Sequence, residues 1–126
     1  MSNQRRAMVV DDDNFVADFV SIILSKRLYG TVACYTFEKA LDQMKNSKFD
    51  LVVTDIFMPG MGGIEGIRRL KDLHPDTKII AMSAGWKNLS PEDAVEAAKK
   101  IGADAGLVKP VSTAKLGDVL ASLEDM

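Results

Sequence analysis

Apolar residues cluster in five short runs, near 6–10, 32–36, 50–54, 77–82 and 105–108, each the length of a strand buried on both faces. Between and after them, apolar positions recur at helical spacing near 14–28, 37–46, 62–74, 91–101 and 112–124. Strand and helix in strict alternation predict a parallel sheet with right-handed crossovers and helices on both faces. The punctuation agrees. Gly30 is read as the stop of the first helix, Gly60, Gly62 and Gly63 as the loop that opens the third, and His74-Pro75 as its end. Ser90-Pro91-Glu92-Asp93 has the form of a helix start: a capping hydroxyl, a proline in the first turn, and acids facing the positive end of the helix dipole. The first helix is too apolar for one buried stripe. Phe19, Val20, Ile23 and Leu24 suffice for a core face, which leaves Phe15 and Ile22 as surplus and suited to docking a partner helix.

At 126 residues this is one domain with room for a real core. The net charge of -2, with no long basic run, argues against nucleic acid or an anionic membrane as a partner, because both need clustered Lys and Arg. The single cysteine, Cys34, cannot form an internal disulfide and is expected as a small buried hydrophobe of a cytoplasmic protein. No signal-peptide pattern and no run of ~18 apolar residues is present in the sequence.

Four of the five apolar runs end in groups that can do chemistry. Ala7-Met8-Val9-Val10 is followed by Asp11-Asp12-Asp13, Leu51-Val52-Val53-Thr54 by Asp55, Ile79-Ile80-Ala81-Met82 by Ser83, and Ala105-Gly106-Leu107-Val108 by Lys109-Pro110. Each has an ordinary reading on its own: a turn or cap for the acids, a loop for the serine, an exposed side chain for the lysine. In an open parallel sheet, however, all four sets emerge at the C-terminal edge, where ligands bind. Carboxylates gathered there favour a hard cation such as Mg²⁺. Asp13, third in its run, sits where the first helix begins and is read as a cap and not a ligand.

With Val10-Asp11-Asp12, Asp55-Ile56-Phe57-Met58-Pro59-Gly60-Met61-Gly62-Gly63, Ala81-Met82-Ser83-Ala84, and Gly102-Ala103-Asp104 leading to Lys109-Pro110, the chain resembles the receiver domain of two-component response regulators over nearly its whole length. The resemblance implies a doubly wound α/β fold, a five-stranded parallel sheet in the order 2-1-3-4-5 of flavodoxin-like proteins, covering residues 1–126 with no output domain. It implies that Asp55 is the phosphoacceptor, fed by a phosphohistidine on a sensor histidine kinase or histidine phosphotransfer domain. Asp12, Asp55 and the backbone carbonyl of Phe57 would ligate Mg²⁺, with Asp11 acting mainly through a metal-bound water. Ser83 would hydrogen-bond one phosphoryl oxygen and Lys109 pair with another, and the Lys109-Pro110 bond would be cis. A downstream protein or a second copy would receive the signal.

Three features depart from the family pattern. Gly106 stands where Tyr or Phe usually precedes the lysine by three residues. The segment between Ser83 and Lys109 is longer than usual, near Gly85-Trp86-Lys87-Asn88-Leu89, with Trp86 either a packed lid or a loop anchor. Phe57 is apolar at a site that often carries a polar residue. The leading expectation is a phosphorylation-switched signalling module that assists chemistry on itself and is not a turnover enzyme. The alternative is a phosphorylation-independent interaction domain that keeps the pocket without the aromatic switch. A phosphohydrolase with an aspartyl nucleophile would want a second acid at position 57, and a nucleotide-binding protein a glycine loop after the first strand. His74, the only histidine, is expected to be structural.

Overall fold

A computed structural model describes residues 4–85 and 89–124; Trp86, expected as lid or anchor, lies outside them. Five strands, β1 (Arg6–Val10), β2 (Gly30–Cys34), β3 (Leu51–Asp55), β4 (Lys78–Ser83) and β5 (Ala105–Val108), alternate with five helices, α1 (Asn14–Lys26), α2 (Phe37–Asn46), α3 (Gly63–Leu73), α4 (Pro91–Ile101) and α5 (Thr113–Glu124). All neighbouring strands pair in parallel, in the order β2-β1-β3-β4-β5. Successive strand residues point to opposite faces, and here both faces are covered. Met8, Val10, Val52 and Ile79 meet Phe37 and Met44 of α2, Ile67 and Leu70 of α3, and Ala98 of α4. Ala7, Val9, Val53 and Ile80 meet Val20 and Leu24 of α1 and Leu116 and Leu120 of α5. That is why the central strands read as unbroken apolar runs and not as alternation.

The caps follow the sequence signals. Asp13 is the N-cap of α1, its carboxylate accepting from the amides of Phe15 and Val16. The Ser90 hydroxyl caps α4 by accepting from the Asp93 amide. Cys34 is buried at the end of β2. His74 caps the C-terminus of α3, where its Nε2 lies 2.6 Å from the carbonyl oxygen of Met44. Among the described residues no helix is long and apolar enough to cross a membrane.

Two local expectations are corrected. α1 ends at Lys26 and not at Gly30, the turn after it passing through Leu28 with φ of 72°; Gly30 instead opens β2, two residues earlier than the apolar run suggested. Phe19 is not core. Ala17, Val20, Ile23 and Leu24 make the buried stripe, while Phe19, 37 % exposed, joins Phe15 and Ile22 on the outer side. Positions 15, 19 and 22 follow the i, i+4, i+7 path of one helix face, so the three share one side.

Candidate functional site

Register sets the site. Val10 pairs with Thr54, so Asp11 and Asp55 leave adjacent strands at the same height. Asp55 pairs with Met82, and Ser83 with Val108, which brings Ser83 and Lys109 to the same edge. The Lys109 amide donates to the Ser83 carbonyl at 2.9 Å, and the Lys109-Pro110 bond is cis. The far end of β3 is fixed by three contacts. The Ile56 amide donates to the Met82 carbonyl at 3.0 Å, the buried Thr54 hydroxyl to the Asp55 carbonyl at 2.9 Å, and the Gly63 amide to the Ile56 carbonyl at 2.7 Å. Position 63 must be glycine for α3 to start so close: a Cβ there would fall 2.5 Å from the Asp55 carbonyl oxygen.

The Lys109 ammonium bridges two carboxylates, 2.8 Å from Asp11 Oδ2 and 3.0 Å from Asp55 Oδ1. Asp11 is fully buried, and its other oxygen accepts from the Asp13 amide at 2.9 Å. Asp12 is exposed, and lines a cavity of about 550 Å³ with the loop Ile56–Gly60 and Gly62. One carboxylate oxygen from each of Asp11, Asp12 and Asp55 lies within 4.8 Å of the others. The donors are all hard oxygens, and three carboxylates face one ammonium. That set suits a cation such as Mg²⁺, and Phe57 stands on the same cavity wall.

The electrostatics bear the mark of this crowding. Burial pushes the Asp55 carboxyl up from 3.8 to about 6; Lys109 opposes the rise, and the charges of Asp11 and Asp12 add to it. For Lys109, burial works against the charged form, but its hydrogen bond to Asp11 and the pull of Asp55 prevail and raise its pKa. The ammonium is therefore held charged beside the carboxylates. Ser83 is fully buried, and its Oγ accepts from the Gly85 amide at 2.8 Å.

Every residue singled out in the sequence for this edge is found there. One feature carried no sequence signal, and a second extends the surplus apolar face read on α1. Val95 of α4 occupies the space beside Gly106, so that a Cβ added at Gly106 would overlap Val95 Cγ1. On the other side of Lys109, Phe15, Val16, Phe19, Ala84, Pro110 and Val111 line a groove of about 520 Å³, beside which Phe15 is 81 % exposed.

A family model for the response regulator receiver domain matches residues 7–121. The chain is 32 % identical over 117 residues to the chemotaxis protein CheY of Thermotoga maritima, spanning 92 % of this chain and 94 % of that protein. It is 33 % identical over 122 residues to the sensory/regulatory protein RpfC of Xanthomonas campestris pv. campestris, of which it spans only 16 %. Among solved structures, a CheY-like receiver domain protein from Methanospirillum hungatei superposes with a TM-score of 0.86 at 28 % identity, covering 98 % of this chain and 95 % of that one.

Proposed function

The chain belongs to the family of response regulator receiver domains, the signalling modules of two-component systems, and from that premise we propose that it accepts a phosphoryl group on Asp55 from a phosphohistidine donor. The observation that carries this is the Asp55 carboxylate, 6 % exposed at the strand-end edge, 3.0 Å from the Lys109 ammonium and clustered with Asp11 and Asp12. An Asp55 oxygen attacks phosphorus in line with the leaving imidazole nitrogen. The O–P bond forms as the P–N bond breaks, and the imidazole keeps the electron pair and takes a proton. Such transfer depends on positioning and on charge neutralisation at the equatorial oxygens. Lys109, already charged and within reach, supplies one positive group. The Ser83 hydroxyl, which accepts from Gly85, has its own proton to donate to a phosphoryl oxygen. Asp12, Asp55 and the Phe57 carbonyl would hold Mg²⁺, with Asp11 acting through a metal-bound water. The ion would offset the carboxylates that otherwise repel an incoming dianion.

A sensor histidine kinase or a histidine phosphotransfer domain is the protein donor in this reading. RpfC and the sensor kinase/phosphatase CqsS of Vibrio cholerae, to which the chain is 31 % identical over 90 residues, support a partner of that class. Gly106, with Val95 filling the space beside it, favours the alternative of an interaction domain that does not depend on phosphorylation. One experiment separates the two: incubation with acetyl phosphate and Mg²⁺ followed by intact mass. The expected result is the gain of one phosphoryl group by the wild type and none by Asp55→Asn. An unlabelled wild type would leave only the constitutive reading, and a labelled Asp55→Asn would move the acceptor elsewhere.

A further inference from the structure

The loop from Phe57 to Gly62 leads from the end of β3 to α3, and Phe57, Met58, Pro59, Gly60 and Gly62 line the acidic cavity with Asp12. It is held from outside by a side chain that the reaction does not use. Glu38, in the first turn of α2, extends its carboxylate to the loop, and Oε2 accepts from the Met61 amide at 3.1 Å. The fit at this contact is close. Gly60 has φ of 76°, and a Cβ built on it would fall 2.5 Å from the same Glu38 oxygen. The positive φ favours glycine at this turn, and the absence of a side chain lets the Glu38 carboxylate lie directly against the backbone. The contact joins positions 23 apart in the chain, so it ties the loop to a different helix and does not merely stabilise a local turn.

We infer that Glu38 is a positioning residue, whose carboxylate holds the loop of residues 57–62 in the shape that presents the Phe57 carbonyl to the cation site. What fixes the Met61 amide is an acceptor oxygen at hydrogen-bonding distance, so the position of that oxygen and not its charge carries the effect. Groups bonded directly to metal ligands preorganise them, and their loss typically costs about 10–100-fold in metal affinity; Glu38 acts one step further out, through the Met61 amide, so the lower end of that range applies. The inference rests on the cation site proposed above, and its test separates the two.

Mg²⁺ affinity is measured by calorimetry on the wild type, Glu38→Ala, Glu38→Gln and Asp12→Ala, with hydrogen exchange of the Met61 amide followed in parallel. Glutamine retains an acceptor oxygen for Met61 but not the charge. The expected result is about a tenfold loss of affinity in Glu38→Ala, faster Met61 exchange in that variant, and near wild-type behaviour in Glu38→Gln. Affinity in Glu38→Ala within twofold of the wild type would overturn the inference. So would equal losses in Glu38→Ala and Glu38→Gln, which would make the effect one of remote charge and not of position. A wild type that binds no Mg²⁺, or an Asp12→Ala variant that binds it unchanged, refutes the cation site and the inference with it. That failure is read from proteins in which Glu38 is intact.

Discussion

Replacing Asp55 by Asn in the metal-free protein removes an ionised carboxylate that the fold holds at a cost. Folding raises the Asp55 carboxyl from 3.8 to about 6, chiefly through burial, so the native state binds this proton more tightly than the unfolded chain does. The linkage sign follows. Its favourable contribution is complete below the unfolded value of 3.8 and is lost as pH rises through about 6. At 1.36 kcal/mol for each pH unit of displacement, the ionised group costs roughly 3 kcal/mol of stability above that window. Asparagine carries no charge to desolvate and is nearly isosteric. Lys109 keeps its other partner, Asp11, at 2.8 Å, so the substitution does not strand a buried cation.

Asp55→Asn should therefore unfold at higher urea than the wild type at pH ~7.5 in EDTA, by about 3 kcal/mol in extrapolated stability, while the two proteins approach each other near pH ~4. Saturating Mg²⁺ should narrow the gap at the higher pH, because a ligand that binds the native wild type stabilises it in proportion to the logarithm of its concentration over Kd. A variant no more stable than the wild type at pH ~7.5, or a difference of equal size at both pH values, would refute the claim that burial of an ionised Asp55 opposes folding.

Gly106→Ala should destabilise the protein by about 1–3 kcal/mol in urea titrations, because the added methyl overlaps Val95. Val95→Ala in the same chain should recover part of the loss, and the absence of any recovery would show that the conflict lies elsewhere. Beryllium fluoride with Mg²⁺, a phosphoryl mimic, should shift the Gly85 amide, which donates to Ser83 Oγ at 2.8 Å, and amides Glu92–Val95 at the start of α4, more than those of Ala105–Val108. Larger amide shifts along β5 and α5 would show that a glycine at position 106 does not redirect the response.

What could be read in one dimension was whatever the backbone period determines. Strand runs buried on both faces fixed the alternation with helices, and that alternation alone brings the ends of β1, β3, β4 and β5 to one edge. Asp55, Ser83 and Lys109 could be named because each directly follows or ends such a run. The errors fell where several residues competed for one role at nearly the same spacing. Ala17 and Phe19 differ by two positions, and packing against β1 and α5 admitted the small residue and turned the large one outward. Leu28 could take a positive φ because the turn after α1 demands it two residues before the glycine best suited to it. The acidic run is the deepest case. Asp11 and Asp12 are chemically identical neighbours just past the end of β1, yet the chain buries one against Lys109 and leaves the other on the open cavity wall. The difference between them, one bound to the ammonium and one on the open cavity wall, thus comes from the path of the backbone beyond β1 and not from residue type. Contacts such as Glu38 with Met61, and Val95 with Gly106, leave no trace in spacing at all, because they depend on how far apart two helices and a loop come to rest once the core has packed.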